Sequence, residues 1–301
     1  MAISEQWAEL LEPGLREIFM QAEAALAAES RIPALFDVIP SGKAAEQFLS
    51  VGGMGNWNAY KGAIEYDDLN KGYETTITHE EYVRGFVIER KLVEDDQYNM
   101  FRDRPEELAM AAMRTRETHA ASVFNNAFSA SYLGGDGKPL CEDDHPASPS
   151  NSATQDNEGA LAFSYDNVIA TRLLMRAYED DRGNLIPRNP DTILVPPELE
   201  QTAFEMFPQN NNKPNTADSV ANFARSFIRN VIAWDYLTDA NAWFLIDSRA
   251  GKQALKWVDR VPLEFALDPT SDFNLQSKWR GYMRYSYGFK DWRWVYGNNP
   301  S

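Results

Sequence analysis

The sequence is poor in the residues that most chemistry needs. Its 301 residues hold one cysteine, Cys141, and three histidines, His79, His119 and His145. A single cysteine excludes an internal disulfide, which fits a reducing compartment or a fold that needs no covalent staple. There is no CxxC pair and no HxxxH spacing, so the usual zinc frameworks are missing. Long apolar runs are missing too, and none nears the ~20 residues that span a bilayer. The opening MAISEQWAELLEPGLREIF lacks the basic and apolar stretches of a secretory signal, so the chain reads as soluble and intracellular when made. Basic residues are in deficit: 29 Lys and Arg against 45 Asp and Glu give a net charge of −16. Such a surface resists non-specific adhesion to nucleic acid. It argues against a protein that grips DNA, though not against one that surrounds DNA. No internal repeat is visible.

Apolar residues and aromatics are plentiful, at 44% and 12% of the chain, and can support a sizeable core. The length suits two domains or one elaborated one. The last quarter is the richest: NVIAWDYLTDANAWFLIDS, KQALKWVDRVPLEFALDP and WRGYMRYSYGFKDWRWVYGN. Tyr285, Tyr287 and Phe289 share one strand face, and Trp292, Trp294 and Tyr296 alternate in a shifted phase. The slip predicts a bulge or turn at Lys290-Asp291.

Upstream, residues 4–30 place Trp7, Leu10, Leu11, Leu15, Ile18, Phe19, Ala22, Ala25 and Leu26 at helical spacing, and Pro13-Gly14 predicts a break into two helices. Ile32 to Pro40 is expected to be extended. Residues 50–81 combine Gly52, Gly53, Gly55, Gly62 and Gly72 with Trp57, Tyr60, Tyr66 and Tyr73. Glycine permits sharp turns while aromatics need contact area, so this segment reads as a two-stranded excursion lying on something else. Tyr73, Thr75 and Ile77, then Phe86 and Ile88, mark strands returning to the body. Residues 103–131 predict a long helix, with Asp103 as N-cap and Pro105 in its first turn, roughly 40 Å in length. Residues 133–162 predict a loop and a domain boundary. A helix from Tyr165 to Asp180, a strand Thr192–Val195, and a helix opened by Pro196-Pro197 follow. PQNNNKPNTA (208–217) predicts a second loop.

Candidate chemistry is sparse. Cys141, Asp143, Asp144 and His145 in CEDDHP admit a metal or nucleophile reading, against a polar loop before Pro146. His119 falls near the apolar stripe of the long helix, as a core or interface histidine does. Glu94-Asp95-Asp96 and Glu179-Asp180-Asp181 offer carboxylates for a cation but lack EF-hand spacing, and read as solvated turns. GGMG (52–55) lacks the ending of a phosphate loop. The block at 279–296, with Lys278, Arg280, Arg284, Lys290 and Arg293 around it, admits a stacking platform for single strands or sugars. Its regular alternation favours a packed sheet instead. No catalytic group, cofactor or metal is expected.

Several segments, taken in order, resemble one family. DGKPLCEDDHP (136–146), ILVPPELEQTAFEMF (193–207), DANAWFLID (239–247) and RYSYGFKDWRWVYGN (284–298) are similar to the major capsid proteins of tailed phages, the Mu-like major head subunits above all. The resemblance implies an α+β chain of the Hong Kong 97 type. Residues 1–49 would be an N-terminal arm and 50–81 an extended loop. Residues 82–160 and 271–301 would form a peripheral domain around a spine helix at 103–131, and 161–270 an axial domain. It implies hexamers and pentamers of an icosahedral shell enclosing double-stranded DNA without sequence-specific binding. It also implies partnership with a scaffolding protein, a portal and a decoration protein, assembly in the host cytoplasm, and no membrane. Trp57, Tyr60, Lys61, Tyr66, Lys71 and Tyr73 are the expected contacts between subunits. The alternatives are an encapsulin-like nanocompartment shell and, in a different class, a cysteine hydrolase using Cys141.

Overall fold

The computed structural model describes residues 7–62, 64, 66–68, 70–95, 102–207, 222–268 and 275–300. The 208–217 segment lies outside them. In chain order the helices are α1 (Trp7–Glu29), α2 (Ile32–Leu35), α3 (Arg90–Glu94), α4 (Asp103–Asn125), α5 (Tyr165–Met175), α6 (Glu200–Met206) and α7 (Ser248–Ala254). The strands are β1 (Asp37–Pro40), β2 (Ala45–Val51), β3 (Lys71–Thr78), β4 (Glu80–Glu89), β5 (His145–Ser148), β6 (Asn151–Gln155) and β7 (Glu158–Gly159). They continue as β8 (Thr192–Val195), β9 (Asn230–Ala233), β10 (Trp243–Ile246), β11 (Leu255–Leu267), β12 (Gln276–Phe289) and β13 (Val295–Asn298). Among the described residues no helix is long and apolar enough to cross a membrane.

Two sheets carry the molecule. One has the order β1-β11-β12-β4 and the other β7-β13-β10-β8-β9. β11 and β12 form a long antiparallel pair, Leu255 opposite Phe289 and Leu267 opposite Trp279. The fourteen residues of β12 turn successive side chains to opposite faces, and Trp279, Met283, Tyr285 and Phe289 point inward, all buried. After the turn at 290–294 the chain enters the second sheet as β13, antiparallel to β10. The predicted phase slip at Lys290-Asp291 is this passage between sheets. The expected limits at 160 and 270 do not separate the sheets: β11 pairs with β12, and β13 with β10, across them.

The helices pack where apolar side chains demand it. α4 and α1 lie together, and α1 also covers β11. Leu15 and Phe19 of α1 sit with Leu108, Phe265 and Trp279, the Phe19 and Phe265 rings stacked 4.8 Å apart. α1 is therefore continuous, contrary to the expected break at Pro13-Gly14. An interior proline costs about 3 kcal/mol of helix propensity. Burying Leu15 and Phe19 returns about 1.5–3 kcal/mol each, so packing wins.

Other expectations also change. Arg102, not Asp103, stands at the N-cap of α4, and no side chain caps it. α4 ends at Asn125 rather than at residue 131, which makes it about 34 Å long. Asn125 turns outward, donating to the Tyr236 carbonyl at 2.9 Å and accepting from the Thr238 amide at 3.0 Å. Phe128 still stacks on Phe244 at 5.8 Å, which is why the apolar period outruns the helix. Ile32–Leu35 is a helical turn, and only Asp37–Pro40 is extended. α5 stops at Met175, short of Asp180. Residues 133–162 form the β5–β6 hairpin and β7 rather than a plain loop. Fully buried Asn157 ties them in, donating to the carbonyls of Leu140 (2.9 Å) and Val295 (3.3 Å) and accepting from the Glu142 amide (2.9 Å).

Candidate assembly interface

β2 and β3 form a two-stranded ribbon, Ala45 opposite Thr78 and Val51 opposite Lys71. No third strand joins it among the described residues, so its faces stay largely open. His79 joins β3 to β4 at its foot. The buried ring makes contacts of 2.8 Å from Nδ1 to Ser286 Oγ and 3.3 Å from Nε2 to Ser41 Oγ. Burial lowers the His79 pKa, and Arg284 pushes in the same direction.

Beyond the ribbon, residues 52–70 have no helix or strand where described. The start of this loop rests on the acidic turn at 179–185. Gly53 N–H donates to Asp181 Oδ1 at 2.7 Å, Asn56 Nδ2 to Asn184 Oδ1 at 3.0 Å, and Arg182 Nη1 to Asp67 Oδ1 at 3.0 Å. The Gly55 N–H and the Arg182 guanidinium hold the Asp67 carboxyl below its ordinary pKa. At Gly52 a Cβ would come within 2.3 Å of Asp181 Oδ2, so a side chain there would displace the Asp181 carboxylate. Asp181 supplies the carboxylate that holds the loop, and the Asp180 carboxylate braces the turn itself, accepting from Arg182 N–H and Asn184 N–H, both at 2.8 Å.

The loop presents its aromatics to solvent. Trp57 is 100% exposed, Tyr66 86% and Tyr60 76%, with Met54 and Ile64 beside them. Lys61 is exposed as well. The other two expected contacts sit lower. Lys71 pairs with Glu74 at 3.0 Å, and half-buried Tyr73 lines a cavity at the loop end of the ribbon, where burial raises its hydroxyl pKa. The sequence reading missed Val83 and Val87 on the outer side of edge strand β4, and Phe204 on α6, all exposed. Alternation in β4 is the signal that could have found the two valines.

The CEDDHP residues do not assemble a reactive centre. Cys141 is fully buried, its N–H donates to the Ala127 carbonyl, and burial raises its thiol pKa well above the ordinary value. A nucleophilic cysteine needs thiolate character and access, and this thiol has neither. His145 is held by Asp136 at 2.7 Å and stacks on Trp292 at 4.4 Å. Glu142, Asp143 and Asp144 come within 4.8 Å of one another, with Asp144 paired to Lys138. His119 reaches Tyr285 Oη at 2.8 Å and lies against the rings of Tyr82 and Tyr287. The 279–296 block is core: Trp279, Trp292 and Trp294 are each at most 3% exposed, so no stacking platform stands there.

The phage capsid protein family model matches residues 72–298, three quarters of the sequence. The chain belongs to the phage capsid protein family. It is a structural major capsid protein, a building unit of a phage head. Solved structures agree on the fold. The capsid of bacteriophage JBD30 superposes with a TM-score of 0.57 at 16% identity, over 69% of this capsid protein and 91% of that chain. The match to Microbacterium phage Oxtober96 gives 0.54 at 10% identity, covering 90% and 91%. A virus-like particle from Pyrococcus furiosus gives 0.56 at 9% identity, covering 94% and 98%. No curated protein matches the sequence.

Proposed function

We propose that this capsid protein is a Hong Kong 97-type subunit of the Mu-like kind, building an icosahedral shell of hexamers and pentamers around double-stranded DNA. The carrying observation is the loop at 52–70: aromatic side chains with no core to enter, carried on a ribbon with open faces. Exposed apolar clusters of this kind mark contact surfaces.

In this reading α1 and the segment to residue 49 are the arm, and Trp57, Tyr60, Lys61 and Tyr66 cover a neighbouring subunit. α4 is the spine of the peripheral domain, and residues 161–270 supply most of the axial domain, which meets its copies around the symmetry axes. A scaffolding protein, a portal and a decoration protein are the partners, assembly takes place in the host cytoplasm, and the subunit performs no catalysis. The acidic surface lets packaged DNA slide without adhering.

The fold likeness to a virus-like particle keeps a nanocompartment shell as the second reading, while the phage family match favours the first. Electron microscopy of the purified protein tests both. Closed shells are expected, and DNA rather than protein cargo in particles from the native source. Deleting 55–72 is expected to leave a folded, soluble subunit that forms no robust shells. A solitary monomer at every concentration would refute the proposal.

A further inference from the structure

The foot of the ribbon gathers cations. Arg260 stands in a β-bulge of β11, between Asp259, which is opposite Tyr285, and Val261, which is opposite Arg284 of β12. A bulge sets two residues of one strand against one of its neighbour, so Arg260 and Arg284 are cross-strand neighbours. Like charges so placed repel each other. His79 lies beside them, its ring between Ser286 Oγ and Ser41 Oγ. Its pKa is lowered by burial first, and both guanidinium groups add to the effect. Ser41 is fixed next to the bulge, its N–H donating to the Asp259 carbonyl at 2.9 Å. The Nε atoms of Arg260 and Arg284 are shielded from solvent, and neither has an acceptor among the described residues.

The carboxylates described around this point are engaged elsewhere. Asp259 accepts from Arg116 of α4 at 3.2 Å and from Trp257 Nε1 at 3.0 Å. Glu46 accepts from Ser41 Oγ at 2.7 Å and from Lys43 Nζ at 3.0 Å. Glu81 is 60% exposed and comes no nearer to Arg284 Nε than 3.8 Å. Buried donors without acceptors are uncommon, and a bound ion is one physical explanation for a pair of them.

We propose that Arg260 and Arg284 bind a phosphate-type oxyanion at the foot of the ribbon, with His79 behind them. A guanidinium holds its donors in a rigid fork that matches phosphate oxygens. An anion between the two guanidinium groups turns their repulsion into attraction. It also bridges β11 and β12 where the pairing between them is interrupted, from Asp259 to Glu264. Two sources supply this chemistry, free phosphate and the phosphodiester of a nucleic acid. Arg280 and Lys278 follow Arg284 on the same face of β12, both exposed, at steps of roughly 7 Å. A nucleic-acid strand would engage them as well, whereas a free ion would engage the bulge pair alone. The net charge of −16 disfavours a long polyanion and so favours the small one.

Inorganic phosphate is the first probe, added to the unassembled full-length subunit against chloride at equal ionic strength. Phosphate is expected to raise the thermal midpoint saturably. It should also move the His79 imidazole signals in NMR spectra, which His79→Gln identifies by their loss. Arg260→Gln and Arg284→Gln should each weaken phosphate binding about tenfold or more, the scale of one lost charge-assisted hydrogen bond. Lys278→Gln should leave it unchanged. A short oligonucleotide separates the two sources. Competition with phosphate that Lys278→Gln and Arg280→Gln weaken identifies the phosphodiester, and no competition identifies the free ion. Should an arginine variant fold poorly, the His79 signals of the unaltered chain carry the test. A midpoint that chloride raises equally, His79 signals that stay still, or equal affinity in folded Arg260→Gln and the unaltered chain would overturn the site. The shell reading stands apart from all of these outcomes.

Discussion

Trp57 and Trp279 are the same side chain in opposite surroundings: the first is fully exposed, the second 1% exposed. Each belongs to a stretch rich in aromatics. Trp279 lies on β12, which has strands on both sides and helices across one face, so every inward position meets a partner. Trp57 lies beyond a ribbon of two strands, and two strands alone have no third layer to bury a face against. The difference shows that aromatic content does not by itself define a core. The number of neighbouring elements decides whether an aromatic stabilises its own chain or waits for another.

The contrast breaks most cleanly at these two tryptophans. Trp279→Ala removes an indole stacked on Phe265 at 5.4 Å and should lower unfolding free energy by about 3–5 kcal/mol in denaturant titrations of the unassembled subunit. Trp57→Ala should change the same titration by no more than ~0.5 kcal/mol, as surface substitutions do. Equal effects at the two sites would mean that the loop packs on its own body.

A smaller effect is expected where the two regions meet. Gly135 lies beneath the ribbon, and a Cβ there would come 2.5 Å from Thr75 Oγ1 and 3.0 Å from the Glu74 carbonyl oxygen. Backbone cannot rotate away as a side-chain tip can. Gly135→Ala should therefore destabilise the subunit by about 1–3 kcal/mol, as other overpacking substitutions do, and tilt β3 away from the body. Amide exchange should show faster opening in β2 and β3 and unchanged rates in β12. Uniformly faster exchange would mean that ribbon and sheet unfold as one unit.

The packed region was also the more legible in sequence. The slip at Lys290-Asp291 is a local change of phase, and it marked the passage from β12 to β13. Thr192–Val195 followed by Pro196-Pro197 read directly as strand and helix start. What failed depended on partners distant in the chain. Pro13 signals a break, and only Leu15 and Phe19 meeting α4 and β11 override it. The polar run at 133–162 reads as a loop because the bonds of Asn157 to Leu140 and Val295 are invisible locally. For the candidate interface, glycines flanking Trp57, Tyr60 and Tyr66 sufficed to expect exposure. The seat on Asp181 and Asn184 was hidden, since it joins two turns 128 residues apart.

The mildest test acts at the joint itself. His79 is buried between ribbon and sheet, and its pKa lies below the ordinary value of 6.5. Burial is the first cause, and Arg284 and Arg260 add to it, while Glu46 opposes them. The unfolded chain therefore takes up a proton at higher pH than the folded one. The stability linked to this group is complete above about pH 6.5 and is lost progressively as pH falls below that value. His119, also lowered by burial, acts in the same direction from the α4 side. Thermal melts of the unassembled subunit between pH 7.5 and 5 should show a declining midpoint, with ribbon amides losing protection before those of β12. His79→Gln keeps a polar side chain at the joint and removes the titration, so its decline should be shallower than that of the unaltered chain. An identical slope in the two proteins would mean that the joint carries none of the pH dependence.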